Sequence, residues 1–135
     1  MDNLITRIKI ISRRLIKDER GWFLKVIDGK EEQLPNYTGE VYFTCALPNQ
    51  TKGCHYHQIA NEWFSPISGK AVLKLQDIYT GEQLDIELDA DAPTTVFVPP
   101  FIAHALYNFS EKDFILCAYT DQLYKPEDTI SYLIQ

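Results

Sequence analysis

The sequence predicts an all-β fold, a sandwich or barrel of short strands, and three observations carry that expectation. Short apolar or alternating runs recur along the chain, nearly every one is closed by a proline, glycine or asparagine turn signal, and no segment has a convincing helical period. Regular spacing of many short strands is the pattern of sandwiches, barrels and jelly rolls.

The elements follow in order. Residues 5–11 and 22–27 each have the composition of an N-terminal strand. Residues 41–47 (VYFTCAL) form a run that stops at Pro48-Asn49. His55 and His57, one residue apart, lie on one face if the chain is extended there. Residues 62–67 end at Ser68-Gly69, where glycine permits the tight turn into 70–79. Residues 84–88 alternate apolar with acidic, as a half-exposed strand should, and 94–98 stop at Pro99-Pro100. That Pro-Pro corner would aim the next strand, which carries His104. Residues 114–119 are mostly apolar and read as buried, and only 126–132 (PEDTISY) suits a short helical turn. With no repeat, low-complexity tract or linker, residues 1–135 read as a single domain.

Composition narrows the function classes. Hydrophobic residues make up 45% of the chain, ordinary for a globular protein. The net charge of −6, from 13 basic and 19 acidic residues, argues against general nucleic-acid binding. It leaves room for an anionic small ligand, because charges are screened over about 10 Å at 0.1 M salt and a local cluster outweighs the distant sum. Arg20, Lys25 and Lys52 are candidates for such a cluster. Three cysteines, Cys45, Cys54 and Cys117, show no CxxC spacing and fit a reducing compartment. The first residues lack the apolar stretch of a signal peptide, and no run suits a membrane span, so a cytoplasmic protein without membrane partners is expected.

All three histidines of the chain fall in two short segments, GCHYHQIANEWFSPISG (53–69) and PPFIAHALYN (99–108). A lone buried histidine is usually a satisfied polar group, and a lone glutamate before a tryptophan is usually a rim charge. Here the bland reading needs every histidine of the protein to enter the two segments by chance. His55, His57, Glu62 and His104 make a ligand set for a divalent transition metal. Zinc is favoured, with nickel, iron and manganese open, and no organic cofactor is expected. The same imidazoles could serve as acid–base groups, since histidine titrates near neutral pH. The two uses compete, because a lone pair given to a metal cannot also take a proton. Cys54 is a weaker ligand candidate, since on a strand it would face away from His55.

These segments resemble the cupin superfamily and, within it, its sugar-nucleotide branch. DERGWF (18–23), KGCHY (52–56), VPPFIAHA (98–105) and YTDQLYKPED (119–128) are similar to motifs of dTDP-4-dehydrorhamnose 3,5-epimerases. The resemblance implies a jelly-roll (double-stranded β-helix) homodimer acting on a nucleotide-linked 4-keto sugar, with His55 as catalytic base. It departs where the family's acid tyrosine falls on Cys117, for which Tyr119 could substitute from the same strand face, and where the family's lysine falls on Glu62. The shorter dTDP-4-keto-6-deoxyhexose 3,4-ketoisomerases are similar in length and in the H-x-H pair, and imply a tyrosine from the preceding strand, here Tyr42. The cupin domain of capsular polysaccharide reductases resembles HYHQIANEWFSPISGKAVLKLQDI and implies bound zinc.

The leading expectation is therefore an isomerase or epimerase of nucleotide-linked sugars in surface polysaccharide synthesis. His55 would abstract the proton, and His57 or a tyrosine would return it. Arg20 and Lys52 would meet the pyrophosphate. Trp22, Trp63 and Phe64, with Phe23, would stack on base or sugar, although packing is as good a role for each ring. A metal-dependent cupin of other chemistry (an oxygenase or simple-sugar isomerase) and a non-catalytic sugar- or metal-binding domain are the alternatives. A homodimer also follows from the apolar N-terminal 5–27, which one small barrel would not bury.

Overall fold

The computed structural model of the protein describes residues 3–37 and 39–134. Two five-stranded antiparallel sheets pack face to face, giving the sandwich of a jelly-roll barrel. In spatial order the first holds β1 (Lys9–Ser12), β9 (Thr94–Val98), β6 (Glu62–Ser68), β11 (Phe114–Thr120) and β4 (Glu40–Ala46). The second holds β12 (Ile130–Ser131), β5 (Thr51–Tyr56), β10 (Ile102–Tyr107), β7 (Lys70–Asp77) and β8 (Gln83–Asp89). Between the sheets lie Phe64, Leu73, Leu75, Val96, Val98, Phe114 and Leu116, all nearly inaccessible. Alternate positions supply this core, which is why the strand runs were visible as patterns.

The N-terminus differs from expectation. Residues Leu4–Arg7 form a one-turn helix that buries Leu4, and the strand begins only at Lys9. Further on, β2 (Leu15–Asp18) and β3 (Gly21–Leu24) pair only with each other, with Ile16 opposite Phe23 and Lys17 opposite Trp22. At the other end, Pro126–Asp128 form a 3-10 turn, and the chain then joins β5 as β12. No helix among the described residues is long and apolar enough to cross a membrane.

One irregularity positions the site. β5 pairs with β10 through a bulge: His55 opposes His104, Gly53 opposes Ala105, and Cys54 is the extra residue. Gly53 sits at φ +93°, and a Cβ there would stand 3.0 Å from the His104 carbonyl oxygen. Only glycine fits both conditions. The extra residue reverses the alternation, so Lys52 and His55 come to line the same internal slot.

Candidate active site

The site lies at the open end of the sandwich and takes residues from both sheets. His55 comes from β5 and His104 from β10, while Glu62 opens β6 and Tyr42 stands on β4. His57 follows the end of β5, and its carbonyl accepts the N–H of Phe101 at 2.8 Å, tying it to the Pro-Pro corner before β10. Ring centroids are 4.7 Å apart for His55 and His104, 5.1 Å for His55 and His57, and 5.5 Å for His57 and His104. One nitrogen from each of the three rings lies within 4.8 Å of the others, close enough to hold one metal ion.

Glu62 binds this cluster together. Its Oε2 accepts the Tyr42 hydroxyl at 3.0 Å, and its Oε1 lies 3.0 Å from His57 Nε2 and 3.3 Å from His104 Nε2. Both rings turn the opposite nitrogen to a backbone carbonyl: His57 Nδ1 to Asp128 at 2.8 Å and His104 Nδ1 to Ile102 at 3.3 Å. A carbonyl only accepts, so an Nδ1 that bonds to it must carry the proton, and in a neutral ring of that tautomer Nε2 is a bare lone pair facing Glu62. Accordingly, Glu62 Oε1 is buried without a hydrogen bond of its own. The close approach to His57 is an ion pair only when that ring takes a second proton.

Electrostatics separate the three imidazoles. Burial pushes His104 down to about 4, against the pull of Glu62, so it is neutral at pH 7. Burial, helped by the neighbouring His57, also lowers His55. Burial works against the charged form of His57 too, but the hydrogen bond and charge attraction that a protonated ring gains from Glu62 outweigh that and the net shift is upward. Glu62 itself is lowered overall, since burial is overcome by the imidazoles and Tyr42. Tyr42 is raised by burial and by the Glu62 charge, so its hydroxyl stays protonated.

The donor set fits a metal. His104 Nε2 stands 3.3 Å from Glu62 Oε1, and with Nδ1 protonated the two would face each other as acceptors that a cation could bridge. Ligands about 2 Å from a tetrahedral centre stand roughly 3.3 Å from one another, close to the 3.0 and 3.3 Å from Glu62 Oε1 to His57 and His104, while the three ring nitrogens lie within 4.8 Å of one another. Histidines that bind metal through one nitrogen commonly donate the other N–H to a carbonyl, as His57 and His104 do.

Two cavities open onto the cluster. The larger, about 400 Å³, is bounded by Tyr42, His55, His57, Glu62, Tyr124 and Lys125, among others. The smaller, about 140 Å³, is an apolar slot between His55, His104, Phe64 and Leu73, with Lys52 at its edge. Lys52 Nζ donates to Thr44 Oγ1 at 2.6 Å.

Several expected residues lie elsewhere. Tyr119 sits with Cys117 on the outer face of β11 and packs on Trp63 at 5.2 Å, so it does not reach the histidines. Trp63 shares that face, 1% exposed between Tyr119 and Phe97, and has no surface left for stacking on a ligand. Phe64 does face the site, but as a buried wall 5.4 Å from the His104 ring. Arg20 and Trp22 lie on the separate β2–β3 hairpin, where Arg20 pairs with Asp18 at 2.7 Å. Cys54 is outside the metal-competent group, consumed by the bulge. Sequence reasoning missed Lys125, Tyr124 and Asp128 as cavity residues. Their YKPED segment was visible, but only β12 pairing brings it over the mouth.

The polysaccharide biosynthesis C-terminal domain family matches residues 16–132. The chain belongs to that family. Among curated relatives of the chain, the spore coat polysaccharide biosynthesis protein SpsL of Bacillus subtilis is 25% identical over 130 residues, covering 92% of this chain and 85% of SpsL. The UDP-2-acetamido-2,6-beta-L-arabino-hexul-4-ose reductase of Pseudomonas aeruginosa is 26% identical over 115 residues, or 85% of this chain. The chain spans only 29% of that reductase. A dTDP sugar isomerase from Desulfovibrio desulfuricans G20 has the same fold, with a TM-score of 0.86 at 19% identity over 95% of this chain and 85% of its own. The capsular polysaccharide assembling protein CapF of Staphylococcus aureus aligns with a TM-score of 0.69 and 24% identity over 90% of this chain and 33% of CapF.

Proposed function

We propose that this member of the family moves a proton next to the keto group of a nucleotide-linked sugar during polysaccharide synthesis. The observation that carries the reading is the pairing of His55 and Tyr42 in the walls of both cavities. Burial keeps His55 neutral, hence able to take a proton, and keeps Tyr42 protonated, hence able to give one. A base for the carbon-bound proton and a donor for the carbonyl oxygen together favour enolisation. The names of the relatives, sugar isomerase and hexulose reductase among them, support a nucleotide-linked keto sugar as substrate. Lys125 and Lys52 line the two cavities and would meet its phosphates.

A metal is the second reading, and the lone pairs of His57 and His104 aimed at Glu62 favour it. His55, His57, His104 and Glu62 would hold the ion, with zinc best suited and nickel, iron or manganese also matched to imidazole and carboxylate. Such an ion would supply Lewis acidity toward a carbonyl oxygen. The readings part at His55, whose lone pair serves either the metal or the substrate.

The test is solvent-deuterium exchange with a dTDP-4-keto-6-deoxyhexose, followed with and without added zinc. Exchange is expected at C3, and His55→Ala should lower it by about 10²–10⁴-fold. Failure of every nucleotide-linked keto sugar to exchange or to bind at millimolar concentration would remove the assignment. Exchange that zinc abolishes would place His55 as base in the metal-free protein.

A homodimer completes the proposal. An isolated two-stranded hairpin is marginal in water, and β2–β3 leaves Ile16, Trp22 and Phe23 exposed. A second copy covering that hairpin would account for them, and would offer Arg20 and Trp22 a route to a ligand. A monodisperse monomer by light scattering would end that claim.

A further inference from the structure

We propose that Asp128 is the positioning residue of this site, setting the ring of His57 by clamping the loop that leads from it to Glu62. The Asp128 carboxylate is buried, and both oxygens are spent on backbone N–H groups of that loop. Oδ1 accepts from Gln58 at 2.8 Å and Ile59 at 3.1 Å, and Oδ2 from Ala60 at 3.2 Å. The backbone carbonyl of the same residue accepts His57 Nδ1 at 2.8 Å. One residue thus fixes both the position of the loop and the tautomer of the ring, leaving Nε2 for Glu62 and the cavity.

The rest of the segment makes the clamp rigid. Asp128 ends the 3-10 turn that starts at Pro126, with its own N–H on the Lys125 carbonyl at 2.9 Å. Two residues later Ile130 and Ser131 pair with Tyr56 and His55, and the Tyr132 N–H reaches the Cys54 carbonyl at 2.9 Å. The Asp128 carbonyl therefore cannot drift from the ring without breaking the carboxylate bonds or the β12 pairing. A second acid offers an internal control. Asp121 holds the far end of the same loop through Asn61 N at 2.9 Å and Asn61 Nδ2 at 2.8 Å, and its bonds go to no histidine ring. If loop anchoring were all that mattered, the two acids would be equivalent.

The inference rests on the reading that His57 works through Nε2, and the test separates the two. In metal-free wild-type protein at pH 8, nitrogen NMR should find His57 protonated on Nδ1, with a coupling across the hydrogen bond to the Asp128 carbonyl carbon. An Nε2–H tautomer would overturn the proposal, and this measurement needs neither metal nor a variant. Zinc affinity is then measured by competition with a chromophoric chelator. Asp128→Asn should bind zinc roughly 10–100-fold more weakly, the usual effect of disturbing a ligand's supporting hydrogen bond, while Asp121→Asn stays near wild type. Equal affinity for Asp128→Asn and wild type, or equal loss in both variants, would overturn it. If wild-type protein takes no zinc, the metal reading fails and the tautomer decides: loss of the Nδ1–H signal in Asp128→Asn supports the role of Asp128, and its persistence rejects it.

Discussion

The two faces of the β6–β11–β4 layer are made from neighbouring residues and do opposite things. Facing inward are Tyr42 and Glu62, joined by a 3.0 Å hydrogen bond beside the histidines. One position along on the same strands, Val41, Trp63 and Tyr119 face outward around a cavity of about 320 Å³ that also holds Cys117 and Phe23. The inner group is organised by charge and lone pairs, the outer by ring packing. Strand parity alone separates them, since successive side chains point to opposite faces. Residue type is therefore a poor guide to role here. Two tyrosines on adjacent strands differ in surroundings because one shares its face with the glutamate and the other with the tryptophan.

That contrast is open to direct attack through the tyrosines, where the largest difference is expected. Tyr42→Phe removes the hydroxyl that Glu62 accepts and that the proposed transfer uses as acid, and should lower exchange by about 10²-fold or more. Tyr119→Phe should leave exchange near the wild-type rate, because its hydroxyl has no access to the histidine cavity. Comparable losses in both would mean that the outer face contributes to the chemistry after all.

Glu62 gives a somewhat smaller readout on the inner face. Glu62→Gln keeps the shape but removes the anionic ligand lying beside two imidazole nitrogens. Zinc affinity should fall at least roughly 10–100-fold, the range seen when even supporting contacts are lost, with the far-UV spectrum unchanged. Unchanged metal content by elemental analysis would move the ion away from Glu62. It would leave the carboxylate as partner of a protonated His57, whose shift is already upward.

Much of the inner face was legible in the sequence, because ligand-type residues are rare and their spacing is constrained. The spacing of His55, His57, Glu62 and His104 marks them as a group, and the structure brings the three rings together with Glu62 beside His57 and His104. The strands 41–47, 62–67, 84–88 and 94–98 could be read from alternation and turn residues, and are found within a residue or two of those bounds. What escaped was set by tertiary pairing. The bulge at Gly53 and Cys54 reverses the side of Lys52, and nothing local announces it except a glycine. Asp128 acquires its bonds from a loop 68–70 residues earlier, a partnership that no local pattern encodes. The one-turn helix at Leu4–Arg7 was lost in a segment whose apolar residues suit a strand equally well.

The smallest effect is expected at Trp63, the strongest member of the outer face by volume. Its ring is 1% exposed and packs between Phe97 at 5.0 Å and Tyr119 at 5.2 Å, yet its Nε1 has no hydrogen-bond partner. Trp63→Phe would lose one ring of buried apolar surface and leave a small cavity, which destabilises. It would also remove a buried N–H that meets no acceptor, and an unsatisfied donor of that kind costs about 1–3 kcal/mol. The two changes oppose each other, so the net shift in unfolding free energy should stay within about 1 kcal/mol, a factor of about 5 in the folded ratio. Denaturant unfolding measures it, and exchange activity should not move. A loss of several kcal/mol would mean that the indole N–H has found a partner, most simply on a second copy seated over this face. A loss of activity at unchanged stability would instead tie the outer face to the site and break the division by parity.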